Sequence, residues 1–195
     1  MSAIWEFPGF HLSFVKPDWM HVVDLGILGY LLGDILWELF VALGGVHSRG
    51  KQACSKLENL LVMCAARLGM DRPIHSLTVL MIRGSATAKP RMRVKAAEAR
   101  YLLPIVRETL ATCFATDTQH ARGRLHCVDA LLSCYRVLDE WNSTTSPAQE
   151  LVRSGRRFLI LLRELHDSCP DARRWRLYPK HHLFVHLIEG AVINP

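Results

Sequence analysis

The chain has 195 residues, half of them apolar, which is long enough and hydrophobic enough to bury a core and excludes a disordered chain. Lysine and arginine outnumber aspartate and glutamate by 24 to 18, a net charge of +6, which attracts nucleic acid or anionic surfaces but also serves solubility. Six cysteines, Cys54, Cys64, Cys113, Cys127, Cys134 and Cys169, form no C-x-x-C pair. They fall within apolar helical patterns, as buried thiols of a reducing, intracellular compartment do.

Residues 1–17, with Phe7-Pro8-Gly9-Phe10, read as an extended lead-in lacking the basic and apolar regions of a signal peptide. The rest, 18–195, reads as one mainly α, bundle-like domain. Its first helix is expected from Asp18 to Leu43, with Pro17 and Asp18 as start signals and Gly44-Gly45 as the stop. The run approaches the roughly 20 residues that span a bilayer. Asp24 and Asp34 would each cost about 2.5–3.5 kcal/mol at the centre of a membrane helix, so a buried helix is the better reading. Gly26, Gly29 and Gly33 share one side of it and mark a surface of close approach.

A second helix is expected over 51–68, with Ala53, Leu57, Leu60, Leu61 and Cys64 at helical spacing and Gly69 after it. Leu77 to Ile82 is the strand-like run of the chain, with a short helix as its alternative. Residues 84–93 form a basic loop. A third helix covers 94–114 with Pro104 inside it, and a fourth covers 123–141. A fifth starts at the Ser146-Pro147 pair and ends before Pro170, and a last one runs from Pro179 to Glu189. The abrupt start and the end at Asn194-Pro195 suit a piece of something longer.

Three groups of residues could carry chemistry. Asp18, His21 and Asp24 recur every three residues. A carboxylate one turn from an imidazole can orient it, raise its basicity or share a metal with it. The simpler reading makes Asp18 an N-cap and His21 a first-turn residue. His182 and His186 lie one turn apart with Glu189 beyond them, a set that could hold a transition metal or merely pack as polar side chains. Lys89, Arg91, Arg93, Lys95 and Arg100, then Arg153, Arg156 and Arg157, then Arg173, Arg174 and Arg176 make three basic groups. Each is fit for phosphate contact or for a solvated face. Glu98, within the first group, reads as a first-turn carboxylate facing the helix dipole. No phosphate loop, nucleophile elbow or paired-cysteine zinc motif is present.

The string DWMHVVDLGILGYLLGDIL resembles the D-x-M-H segment and following helix of CACTA-like DNA transposases, the Plavaka-type branch especially. Pro8-Gly9-Phe10 stands where their lead-in does. KAAEARYLLPIV and YPKHHLFVHLIE resemble two later helices of that family, in the same order. The resemblance implies part of an RNase H-like nuclease with a large helical insertion, a divalent metal cofactor (Mg or Mn), DNA as partner and a nuclear location. Asp18 and His21 match the family's D-x-x-H, and Glu98 is implied as a third carboxylate. No earlier β-rich stretch supplies the other aspartates, so the chain by itself is expected to contact DNA and pack as helices without nuclease activity. Two alternatives stand beside this: a helical protein-interaction module, and a metal-binding helical protein built on His182, His186 and Glu189.

Overall fold

The computed structural model describes residues 18–46, 50–114, 117–141, 147–169, 171 and 174–193. The lead-in 1–17, Ser146 and Arg173 lie outside the described residues. The protein is 73% helix, and no strand occurs among the described residues. The first rod is a π-helical segment, Met20–Ile27, running directly into α1, Leu28–Ala42. Then follow α2 (Lys51–Arg67), α3 (Val79–Ile82), α4 (Ala96–Cys113), α5 (Gln119–Asp139), α6 (Ala148–Ser168) and α7 (Pro179–Ile193).

The first rod is the centre of the core. Eleven of the fifteen α1 residues are buried, so the helix has no solvent face of ordinary width, and its continuous apolar run is explained by neighbours on several sides. It packs against α2, α3 and α4, while the π-helical segment meets α4 and α7. By length and hydropathy, Met20–Ala42 could cross a membrane; 72% of its most apolar stretch is buried by the rest of the chain. Gly44 (φ 83°) ends α1 and Gly69 (φ 66°) ends the turn after α2. In each case the following amide bonds the carbonyl five residues back, a Schellman closure that needs the left-handed conformation.

Two local expectations are corrected. The strand-like run is a single helical turn, α3, because Thr78 Oγ1 accepts the Met81 amide (3.3 Å) and starts a helix instead of an extended ladder. The fourth helix begins at Gln119, four residues before Gly123, because Thr118 Oγ1 accepts the Ala121 amide (3.1 Å) as an N-cap. All six cysteines are free thiols, and burial pushes Cys134 up to about 12 and Cys127 higher, which leaves both unreactive.

The glycine face of the first rod positions the basic loop. Met92 N–H donates to the Gly29 carbonyl (2.7 Å), and a Cβ on Gly33 would lie 2.4 Å from the Arg91 Cα. Only a hydrogen at position 33 lets the two backbones touch. The loop then folds back on α3 through Arg91 N–H to Ile82 O (2.8 Å) and Arg93 N–H to Met81 O (2.9 Å).

Candidate anion-binding cleft

Where the basic loop crosses the π-helical segment, the start of α4 and the start of α7, they enclose an open cavity of about 960 Å³. Its lining holds Lys89, Arg91, Arg93, Lys95 and Lys180 against two carboxylates, Asp24 and Glu98, a net of +3 with His21 neutral. None of these five cations pairs with a carboxylate of a described residue within 4 Å. Three of them are instead fixed by neutral partners. Arg91 donates to the Leu25 carbonyl (3.0 Å) and lies 5.0 Å over the Tyr30 ring. Lys180 donates to the His21 carbonyl (2.6 Å), and Lys89 sits 5.6 Å over Tyr178. Tyr30 and Tyr178 stack on each other at 3.9 Å and form one wall. Burial pushes the Tyr178 hydroxyl up to about 12, against the opposing charges of Arg176 and Arg91.

A carboxylate on a neighbouring helix would satisfy such cations internally. Its absence leaves their charge for a ligand, and fixed side chains lose little entropy on binding one. Electrostatics in the cleft therefore favour an anion.

Asp18 and His21 meet as their spacing suggests. Asp18 Oδ1 accepts the His21 amide (3.0 Å), and Oδ2 lies 2.8 Å from His21 Nδ1. That amide, followed by the imidazole, holds the Asp18 carboxyl below its usual range. Both side chains are solvent-exposed, so the pair caps the helix, and His21 alone of the two reaches the cavity. Glu98 lines the cavity too, with Oε2 accepting the Lys95 amide (2.8 Å). Among the described residues no group of three or more His, Cys, Asp or Glu side chains is placed to hold a metal. Five cations around His21 and Glu98 oppose a divalent ion further, so the residues present do not fit the implied Mg or Mn site.

The remaining sites divide. His182 and His186 approach at 3.0 Å between their Nε2 atoms, while Glu189 turns to Arg156 (2.9 Å) and not to them. Arg100 is outside the cleft, bonded to Asp139 and lying 4.8 Å over Tyr135. Arg153 bonds Glu150 within α6. Arg176 is exposed beside Tyr178.

Arg174 belongs to a second polar centre that the spacing gave no sign of. Glu38, on α1, accepts hydrogen bonds from His120 (3.1 Å), Arg124 (2.9 Å), Arg174 (2.8 Å) and the Trp175 indole (2.8 Å). Burial works against its charge, but His120, Trp175 and Arg124 outweigh it and hold the carboxyl below its usual range. One turn earlier Asp34 accepts the Trp175 amide (3.1 Å) and leaves Oδ1 buried without a partner. Burial pushes its carboxyl well above the usual range. Trp175, fully buried at φ 53°, is held in that conformation from both sides.

Sequence reasoning reached Lys89, Arg91, Arg93, Lys95, His21 and Glu98 but missed Lys180, Tyr30 and Tyr178 as cleft walls. Their available signal was adjacency: Tyr30 follows Gly29 on the glycine face, and Tyr178 and Lys180 open the last helix. Comparison with family models, with curated proteins and with solved structures finds no match for this chain.

Proposed function

We propose that this protein is a helical, DNA-contacting domain of CACTA-like transposase descent, acting at an RNase H-like core, and that the cleft grips the sugar–phosphate backbone. The observation that carries the reading is the set of five unpaired cations in one cavity. Eight arginines elsewhere, Arg72, Arg100, Arg107, Arg124, Arg153, Arg156, Arg163 and Arg174, have carboxylate partners, while Arg67, Arg136, Arg157 and Arg176 are exposed without one among the described residues and do not line this cavity. Lysine and arginine contacts to phosphate position a nucleic acid without selecting sequence. Chemistry is assigned elsewhere: the capped Asp18–His21 pair and Glu98 serve here as helix-end and cleft-wall groups. Nuclear residence follows from the same reading.

A mobility-shift series at rising salt tests it. Five phosphate contacts give a slope of log affinity against log salt of about −4.5 on duplex and about −3.5 on single strands. Replacing Lys89, Arg91 and Arg93 together by alanine should flatten it by about 2 to 3. Affinity indifferent to salt would overturn phosphate binding. It would favour the second reading, a helical interaction module, which draws on the groove along α6 where Val152, Ile160 and Leu161 lie among Arg153, Arg156 and Arg157.

A further inference from the structure

A site built for phosphate alone gains nothing from acid groups, yet two carboxylates share the cleft with the cations. Asp24 is half-buried in the wall; its Oδ1 takes the Tyr135 hydroxyl, the Trp19 indole and the Arg100 charge also bear on the carboxylate, and Oδ2 meets no other donor among the described residues. Glu98 commits Oε2 to the Lys95 amide and leaves Oε1 equally open. An ionised carboxylate only accepts hydrogen bonds, so these two oxygens, one half-buried and one exposed, can receive only N–H or O–H donors from whatever enters. On a nucleic acid, the donors that suit a carboxylate are the exocyclic amino groups of the bases, cytosine N4 above all. Thymine offers a single N–H between two carbonyls, and carboxylates repel both.

The shape of the site decides which form of nucleic acid can deliver those donors. At about 960 Å³ the cavity has the size of a small-molecule pocket and admits a few nucleotides. A duplex keeps its bases stacked inside a rod that would rest on the rim, short of the recessed Asp24. The same cleft supplies what a splayed base needs, a guanidinium plane at Arg91 backed by the Tyr30–Tyr178 stack.

We propose that the cleft takes an unpaired strand with its bases turned inward, Asp24 and Glu98 receiving exocyclic amino groups while the cations hold the phosphates. This rests on the phosphate-binding reading above and adds the strandedness and base preference of the ligand. Burial raises the Asp24 carboxyl above its usual range, so donors arriving with a base relieve a carboxylate the fold leaves under-solvated.

Fluorescence anisotropy at pH 7.5 with labelled oligo-dC, oligo-dT and a mixed-sequence duplex, each of about 16 nucleotides, tests it. Oligo-dC should bind at least ~5-fold more tightly than oligo-dT, and both more tightly than the duplex. The double variant Asp24→Asn, Glu98→Gln keeps an acceptor for the Tyr135 hydroxyl and for the Lys95 amide, so the fold persists. In it the dC preference should shrink to within about 2-fold while salt-sensitive binding survives. Equal affinity for oligo-dC and oligo-dT, a duplex bound as tightly as oligo-dC, or a preference unmoved in the double variant would overturn the inference and leave phosphate binding standing. No salt-sensitive binding of any oligonucleotide would remove both.

Discussion

Two polar centres lie on the same central rod and use the same residue types to opposite ends. Around Glu38 the arginines are largely covered and meet a carboxylate; in the cleft they are exposed and meet none. In the first centre the charge is consumed in holding α5 and the 174–178 connector to α1. In the second it is left over, and left-over charge held rigidly is what a binding site consists of. A count of basic residues cannot separate the two cases, and only the location of the acids does.

The contrast breaks first at Glu38. Glu38→Ala takes the carboxylate from the largely covered Arg124, leaves Arg174 only Asp171, and frees the His120 and Trp175 donors, at a cost of about 3 kcal/mol and about 10 °C in melting temperature. The Lys89, Arg91, Arg93 triple alanine variant should melt within a few degrees of the parent. A melting temperature equally unmoved by Glu38→Ala would erase the distinction. Because the folded Glu38 carboxyl sits below its unfolded value, its stabilisation is present above the unfolded value and disappears as pH falls through the folded one.

Gly33 seats the basic loop on α1, and its substitution has the next largest effect. In Gly33→Ala the new methyl carbon starts 2.4 Å from the Arg91 Cα, so the basic loop must lift from α1. Stability should fall by about 1–3 kcal/mol, and oligonucleotide affinity with it, as anisotropy and denaturant unfolding would record. Unchanged affinity would mean that the loop does not place the cations.

The smallest effect belongs to Asp34. Its carboxyl is raised in the folded state, so ionisation costs stability as pH climbs from the unfolded value through the folded one. Asp34→Asn keeps an acceptor for the Trp175 amide. It should therefore gain about 1 kcal/mol over the parent at pH 8 and little at pH 4, in denaturant unfolding at the two pH values. A loss at pH 8 would show the carboxylate to be paired after all.

Much of the architecture was legible because its signals are local. The Asp18 cap, the stops at Gly44 and Gly69 and the apolar period of α2 each act within one or two turns. The same is true of the glycine side of the first rod, whose spacing announced a close neighbour without naming it. What arrives there is a loop some sixty residues away, and Lys180 reaches His21 across 159 positions. The Glu38 centre joins residues 82 to 137 apart, through a hydrogen-bond set that no single stretch encodes. The same distance effect explains why three basic groups read alike: the carboxylates that neutralise Arg100 and Arg156 lie 39 and 33 residues off.

The cleft is tested most directly by asking which lysines a bound strand shields. Quantitative acetylation with and without saturating oligo-dC, read by mass spectrometry, compares Lys89, Lys95 and Lys180 with Lys51 and Lys56, exposed on α2. Binding in the cleft demands protection of the first three and unchanged labelling of the last two. Equal labelling at all five, or protection confined to α2, would contradict it.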